Sequence, residues 1–484
     1  MKRIVLVLLA FLASNCYAQN GYVLSKYSLG QLRDDFDLAV NSLKEAHPGL
    51  YWHTGYLEFD SICNVQRSKL SQASDALEFY RILAPVIVAS REGHCKLSLS
   101  DEVDRFLDKA GLYPPLFVKF IGQVPYVINT IQGRPTVALE LVSIDGRPIS
   151  EVLSAMFALM PSDGHNRTKK YAALEGQDFS YYYLDAFSQR ASYLIGLKDP
   201  ATNITTEVDC GALPAAEMEK QWAVLRARFF GRNDVASSLV IEGGSAILTF
   251  NTFRSDKYPD FYKTVDGYFQ KIGSLKVKNL IIDLRANGGG TEGYEDYVLS
   301  HLVSKAYRKY SYVQASALSF SFYRFTNLNT AEKQASFNAT MAREHFVDGD
   351  GRVLRRTGIL EPEPPRKKAF GGKVYVLISG QTYSGGSEFA SLLKIHRKAI
   401  AVGEETGGGF YGNTSGFALT LTLPNSGLKL KVPLLKFVLQ VPGLSNPLGH
   451  GLMPDYRPEE SFSGFLKGID PGLDLVKRLI ARAE

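Results

Sequence analysis

The chain has 484 residues, a length that suggests about three domains. Hydrophobic residues make up 45% of it and charged residues 21%, so the composition is that of a globular protein and excludes a disordered or low-complexity chain. The net charge is +6, and the sequence contains no dense Lys/Arg stripe interleaved with aromatic residues, so we expect no nucleic-acid partner.

The first 18 residues have the pattern of a secretory signal peptide. Lys2 and Arg3 precede an apolar run that ends in small residues at Ala18, after which we expect cleavage. Cys16 raises the alternative of a lipoprotein anchor, but Asn15 stands where a small residue is wanted before a lipidated cysteine. No later stretch is long and apolar enough to span a membrane, so the sequence predicts an exported protein, periplasmic or extracellular.

Residues 19–110 have the pattern of an N-terminal helical domain. Ser28 and Gln31 match a capping box, and apolar residues then recur at helical spacing until Pro48 stops the run. A second amphipathic helix fits residues 75–89.

The pattern of apolar residues changes twice after residue 110. Residues 111–215 are a β-rich module of apolar runs separated by Gly, Pro and Asp, and we expect a linker at 216–244. Residues 245–484 form an α/β core with a long insertion at 306–372. Short, almost wholly apolar runs alternate with helical patterns, which predicts a parallel sheet covered on both faces. The predicted strands lie at 246–250, 280–284, 374–378 and 399–402, and the predicted helices at 293–305 and 385–396.

Two segments that follow predicted strands could carry chemistry. Asp283-Leu-Arg-Ala-Asn-Gly-Gly-Gly290 leaves backbone N–H groups bare, as an oxyanion site requires, although a glycine triplet alone is more often a plain loop. Ser384 opens a helix, where adjacent amides and the helix dipole favour developing negative charge. An ordinary N-cap serine is the alternative interpretation, and Ser387 fits the cap equally well.

A third segment, Glu92-Gly-His-Cys-Lys96, forms a tight turn before a short predicted strand. A lone histidine is more often structural, and His94 stands out from the other histidines only by this turn. Cys95 suggests a cysteine nucleophile, but a small buried apolar residue is the better interpretation of it.

Together these segments resemble the tail-specific, C-terminal-processing serine peptidases, in the branch that is similar to the tricorn core and the interphotoreceptor retinoid-binding repeats. The resemblance covers most of the mature chain and is densest from 245 to 456. Five short motifs occur in family order, which makes the resemblance specific. They are Gly93-His94, Asp283 to Gly290, Thr382-Tyr-Ser384, Val402-Gly-Glu-Glu-Thr-Gly-Gly408 and Gly451-Leu-Met-Pro-Asp455.

The resemblance implies a multidomain α/β fold with a crotonase-like core, in which the β-rich module is a degenerate PDZ-like module. It implies Ser384 as the nucleophile and His94 as the general base. The amides of the glycine triplet, Gly288 and Gly289 foremost, would form the oxyanion hole with the N–H of Gly385. It implies no metal and no organic cofactor.

The sequence departs from the family at two places. The Ser–Lys branch carries its lysine base just after a Gly-Glu-x-Thr segment, whereas residues 406–410 contain no lysine, so a Ser–His pair is expected. Tricorn-like members have a glutamate where Leu448 stands here, three residues before the Gly-x-x-Pro-Asp motif. Glu404 or Glu405 could substitute as the third catalytic member, although Glu404 is commonly part of the fold.

We therefore expect an exported serine peptidase that cleaves peptide bonds of a peptide or protein substrate, near free C-termini. Two alternatives remain open: an inactive binding protein on the same fold, which the missing glutamate favours, and a hydrolase of another acyl substrate. A histidine base with an ordinary pKa of ~6.5 predicts activity that rises through roughly pH 6–7. The sequence specifies neither the natural substrate nor the oligomeric state.

Overall fold

The structure is a computed structural model that describes residues 22–230, 235–356 and 360–482. The predicted signal peptide and Cys16 lie outside the described residues. Within those ranges, no helix combines the length and the apolar character needed to cross a membrane.

The N-terminal part is helical, as the sequence predicts. The predicted capping box is confirmed, because the Ser28 side chain accepts from the Gln31 N–H while the Gln31 side chain accepts from the Ser28 N–H. The second predicted helix is confirmed as well, with Asp75 as its N-cap. The elements are α1 (Leu29–Ala46), α2 (Tyr56–Ser68), α3 (Ala76–Val88), β1 (Lys96–Ser98) and α4 (Asp101–Ala110).

The β-rich module contains both strands and helices. Its elements are β2 (Leu112–Tyr113), β3 (Val118–Ile121), β4 (Val124–Val127), β5 (Glu140–Ile144), β6 (Arg147–Pro148), α5 (Ile149–Phe157), α6 (Thr168–Ala173), α7 (Asp178–Ala186), β7 (Ser192–Lys198), β8 (Thr205–Gly211) and β9 (Leu213–Pro214). The main sheet is antiparallel with the strand order β3-β4-β5-β7-β8, and β6 pairs with β5. Strands β2 and β9 form a separate two-stranded ribbon. The helices of the module pack on an apolar core that includes Phe117 and Ile195.

The segment predicted as a linker begins with a helix, α8 (Ala215–Phe229), and ends in a strand. The remaining elements make up the C-terminal half. They are β10 (Ser237–Glu242), β11 (Ser245–Phe250), α9 (Phe261–Ser274), β12 (Asn279–Asp283), α10 (Tyr294–Ser300), β13 (Tyr310–Ala315), α11 (Ala331–Glu344), β14 (His345–Val347), β15 (Val353–Arg355), β16 (Lys373–Ile378), α12 (Gly385–Arg397), β17 (Ile400–Gly403), β18 (Gly412–Thr422), β19 (Lys429–Leu439), α13 (Phe462–Leu466) and α14 (Pro471–Ala481).

The predicted parallel sheet is confirmed. Its order is β10-β11-β12-β16-β17, with parallel pairing from β11 to β17 and an antiparallel edge strand, β10. Helices cover both faces: Phe261 of α9 and Phe389 of α12 belong to one core, while Val476 and Ile480 of α14 pack on the other side against Tyr375. The carboxyl ends of β12 and β16 therefore meet at one edge of the sheet.

A second sheet pairs a strand of the N-terminal helical part with strands of the C-terminal half. Its order is β1-β19-β13-β15-β14, with β18 beside β19, and its pairs are antiparallel. Strand β1 lies along β19 with Leu97 opposite Leu430, so the N-terminal helical part and the C-terminal hairpin share one hydrophobic core. The predicted insertion at 306–372 supplies β13, β14 and β15 to the same sheet.

Candidate active site

Ser384 lies just beyond the carboxyl end of β16, where α12 begins. Its backbone has φ 53° and ψ −129°, a conformation that costs a non-glycine residue on the order of 1–3 kcal/mol. Although Ser384 occupies the N-cap position, its hydroxyl makes no capping bond to the described amides of α12. Ser387 Oγ is buried, 2.8 Å from the carbonyl oxygen of Gly408. The strained turn therefore directs the Ser384 hydroxyl away from its own helix.

His94 meets that hydroxyl from the opposite end of the sequence. Its Nε2 lies 3.2 Å from Ser384 Oγ, although 290 residues separate the two along the chain. The turn that carries His94 is held by its neighbours: the Gly93 N–H donates to Asp163 Oδ1 at 2.7 Å, and Thr414 Oγ1 donates to Glu92 Oε2 at 2.9 Å. A neutral imidazole at this distance can accept the serine proton as the oxygen attacks an acyl carbon.

The other nitrogen of His94 faces a residue that the sequence did not single out. Tyr383 Oη lies 2.9 Å from His94 Nδ1, and the two rings are 4.8 Å apart between centroids. Asp163 Oδ1 is 3.4 Å from the same hydroxyl. The one signal that sequence reasoning could have used is the place of Tyr383 directly before Ser384.

Glu404 and Glu405, the predicted third members, lie against other groups. Glu405 Oε1 accepts from the Gly451 N–H at 2.9 Å and lies 3.0 Å from His450 Nδ1. Glu404 lines a groove, and burial raises its pKa. Leu448, which stands at the position of the family glutamate, has 78% of its surface exposed.

The glycine turn packs directly against the turn of Ser384. Asn287 is fully buried and ties the two together: its Nδ2 donates to the Phe250 carbonyl at 3.1 Å, and its own carbonyl accepts from the Tyr383 N–H at 2.9 Å. Gly289 has φ 92°, and a Cβ there would lie 2.8 Å from Ser384 Cβ. Glycine is therefore required for both the conformation and the close approach.

The amides of this turn are not equivalent. The Gly289 N–H donates to Asn287 Oδ1 at 2.8 Å, while Gly288 and Gly290 are exposed. Gly385 is the first residue of α12, so its N–H has no partner within its own helix. A Cβ added to Gly289 would lie 2.8 Å from the backbone nitrogen of Gly385. The Gly385 amide therefore lies beside the glycine turn.

The electrostatics of the site favour a neutral histidine. Burial lowers the pKa of His94 to about 4, with Asp163 acting in the opposite direction and Lys169 and Lys431 adding to the decrease. Burial also lowers the pKa of Lys169 to about 8. The sequence-based expectation of an ordinary histidine pKa is thus replaced by a lower one, because the imidazolium would lose its hydration in the folded protein.

A groove of about 570 Å³ lies between the β-rich module and the parallel sheet. One wall contains Glu404 and Glu405 at the end of β17, and another contains residues 121–123 between β3 and β4. Arg167 and Arg457 are exposed cations on its lining.

Comparisons with known proteins give one family match and several matches in fold. Residues 244–457 match the model of peptidase family S41, and this range includes the glycine turn and Ser384 but not His94. Mature CPAF aligns with 17% sequence identity and a TM-score of 0.63 over 94% of this chain and 97% of that chain. Mature CPAF complexed with lactacystin aligns with 17% identity and a TM-score of 0.65 over 94% and 98%.

The Photosystem II D1 C-terminal processing protease aligns with 13% identity and a TM-score of 0.40, over 91% of this chain and 97% of that chain. A search of curated protein sequences finds no match. The likeness to CPAF concerns the fold and extends over nearly the whole described chain, whereas the family match concerns the segment that holds the strained serine. Residues 244–457 therefore carry a peptidase family S41 domain, and the chain is a serine-type peptidase.

Proposed function

We propose that this peptidase hydrolyses peptide bonds with Ser384 as the nucleophile and His94 as the general base. The observation that carries the proposal is the 3.2 Å contact between His94 Nε2 and Ser384 Oγ at a strained turn. As Ser384 Oγ bonds to the carbonyl carbon, its proton passes to Nε2; the imidazolium then gives that proton to the leaving amine. Water repeats the two steps on the acyl-enzyme and releases the product acid.

The tetrahedral oxyanion would lie against backbone amides. The Gly385 N–H at the start of α12 supplies one donor, favoured by the helix dipole. The second donor is the exposed amide of Gly288 or of Gly290, because the Gly289 N–H is already bonded to Asn287.

The test is covalent labelling with a fluorophosphonate probe alongside peptide hydrolysis. Ser384→Ala is expected to lose the label and to lose hydrolysis by roughly 10⁴-fold or more, because no other oxygen replaces the nucleophile. Folding should be preserved, since Ser384 makes no capping bond within the described part of α12. Circular dichroism and the urea midpoint check this.

Ser391→Ala is the matched control. Ser391 lies in the same helix, is fully buried, and its Oγ has no hydrogen-bond partner among the described residues. We expect that variant to keep both the label and the wild-type rate. Undiminished hydrolysis by Ser384→Ala would remove Ser384 from the mechanism.

The pH dependence follows from the lowered pKa of His94. The base acts when neutral, so activity rises as the pH passes upward through its pKa of about 4. We expect kcat/KM at pH 5 to be within roughly twofold of its value at pH 7. Profiles from pH 3.5 to 8, with folding followed by circular dichroism at each pH, measure this. A tenfold fall between pH 7 and pH 5.5 would contradict it.

The groove is the basis for the proposed preference for substrates with a free C-terminus. We propose that it receives the C-terminal end of the substrate, because Arg167 and Arg457 on its lining can pair with a free carboxylate. Peptides with a free C-terminus should then be cleaved faster than their amidated counterparts.

The fold and the cellular location complete the proposal. The parallel sheet with helices on both faces supports a crotonase-like core, and the antiparallel module beside the groove supports a degenerate PDZ-like module. The basic and then apolar start of the sequence supports export through a cleaved signal peptide.

A further inference from the structure

We propose that Tyr383 is the positioning residue for His94 and that Asp163 accepts a hydrogen bond from the Tyr383 hydroxyl. This inference rests on the proposed function. It makes the reacting group a hydrogen-bonded series, Ser384–His94–Tyr383–Asp163, in which the phenol of Tyr383, and not a carboxylate, contacts the histidine. The juxtaposition is direct, with Tyr383 Oη 2.9 Å from His94 Nδ1 and 3.4 Å from Asp163 Oδ1.

The direction of each bond follows from the role of His94. To accept the proton of Ser384 at Nε2, the neutral imidazole must carry its own proton on Nδ1. That N–H donates to Tyr383 Oη. The hydroxyl has then accepted one bond and must point its proton elsewhere, and Asp163 Oδ1 is the acceptor beside it.

Asp163 is suited to the end of this series. It is 4% exposed, and each of its carboxylate oxygens is fixed by a backbone amide: Gly93 N–H donates to Oδ1 at 2.7 Å and Gly409 N–H donates to Oδ2 at 3.0 Å. The first of these amides belongs to the turn that carries His94, and the second to the segment that precedes β18. One carboxylate thus sets the position of both the histidine turn and the phenol.

The surroundings of Tyr383 keep its hydroxyl in place and protonated. The Tyr383 ring packs against the imidazole of His94, and Lys169 Nζ lies 3.3 Å from the centroid of the Tyr383 ring. Burial, together with Asp163 and Glu92, raises the pKa of Tyr383 well above its usual value. The phenol therefore passes a hydrogen bond from histidine to carboxylate without ionising.

The other charged groups near His94 are held by different partners or act only at a distance. Glu92 is buried and accepts from Thr414, and Glu388 accepts from Asn413 and Tyr310. Lys169, Lys431, Asp163 and Glu388 act on His94 through their charges. Contact with Nδ1 is made by Tyr383.

The proton balance of the step is simple. When Ser384 Oγ bonds to the acyl carbon, its proton moves to Nε2 and the imidazole becomes an imidazolium. The Nδ1 proton stays on Nδ1, and the phenol and Asp163 stabilise the new positive charge through hydrogen bonds that strengthen as the charge forms. Tyr383 thus acts on the rate of the chemical step and on the orientation of the ring, and not on substrate binding.

Tyr383→Phe tests this, because it removes the hydroxyl and keeps the ring that packs on His94 and Lys169. We expect kcat to fall by roughly 10²- to 10³-fold, less than the roughly 10⁴-fold cost of losing a charged orienting carboxylate, with KM changed less than about threefold. In ¹⁵N NMR spectra, neutral His94 should carry its proton on Nδ1 in the wild type and partly on Nε2 in the variant. A merely structural tyrosine would leave this tautomer ratio unchanged.

Tyr193→Phe is the matched control, since its buried hydroxyl donates to the Leu112 carbonyl at 2.7 Å in the β-rich module. It should keep the wild-type kcat and tautomer. Asp163→Asn provides a second variant and should lower kcat in the same range, with little further loss when combined with Tyr383→Phe.

The outcomes separate the two proposals. Wild-type kcat and an unchanged tautomer in Tyr383→Phe, with Ser384→Ala inactive and unlabelled, overturn the role of Tyr383 alone. Hydrolysis that survives Ser384→Ala overturns the proposed function and this inference with it.

Discussion

Replacing His94 by glutamine is expected to lower kcat by roughly 10⁴- to 10⁶-fold, about as far as Ser384→Ala lowers it. Glutamine fills a similar volume and can bond to Tyr383, but it cannot accept the proton of Ser384. Without a base at 3.2 Å, the hydroxyl stays protonated and a poor nucleophile. The measurement is kcat under saturating peptide for each single variant.

The double variant His94→Gln/Ser384→Ala should lose little beyond either single change, because groups that act as one unit are not additive. His345→Gln is the control: this histidine is buried in the predicted insertion, with Nδ1 3.1 Å from the Met341 carbonyl oxygen. It should keep the wild-type rate. Losses that multiply in the double variant would show that His94 and Ser384 act independently.

The part of the site that sequence reasoning could predict is local. The glycine turn and Ser384 each follow a short apolar strand, and the ends of β12 and β16 meet because parallel neighbours run in one direction. Strand periodicity and the motif order were therefore sufficient for the parallel sheet and for these two turns. The capping box at Ser28 was also readable, because a cap depends on residues only three apart.

The remainder depends on pairings across long stretches of sequence. The family resemblance alone implies His94 as the base. This histidine reaches the site because β1 lies along β19, with Lys96 opposite Lys431, and no local pattern encodes that pairing. Asp163 approaches from a loop of the β-rich module, so its contact with Tyr383 could not be read from spacing. The lowered pKa of His94 has the same origin, since burial by distant segments causes it.

A buried lysine supports the helix that begins at Ser384. The Lys309 side chain is 3% exposed and makes ion pairs with Glu295, with Asp296 at 3.0 Å and with Glu388 at 3.1 Å. Burial alone would lower its pKa, but the surrounding acidic groups raise that pKa well above its usual value. Glu388 lies in the first turn of α12, so this cluster ties the start of the helix to β13 and α10.

Lys309→Met is expected to lower the free energy of unfolding by about 3–5 kcal/mol, because it leaves several buried carboxylates without their cation. Burial already raises the pKa of Glu295 to about 7 with the lysine present, and removing the lysine takes away the charge that opposes this rise. The midpoint of urea unfolding measures the loss. We also expect a lower kcat, since the turn of Ser384 is strained and depends on a firmly held α12.

Two further variants show whether the loss comes from unpaired charge. Lys477→Met breaks an exposed ion pair in which the Lys477 side chain is 46% exposed and the Glu242 side chain 62% exposed. This change should lower the free energy of unfolding by less than about 1 kcal/mol. Adding Glu295→Gln to Lys309→Met removes one of the unpaired carboxylates and should recover part of the lost stability. If Lys309→Met unfolds at the wild-type midpoint, the ion pairs around Lys309 contribute nothing to stability. The other contacts of α12, among them the apolar packing of Phe389 and Leu393, then hold the helix in place.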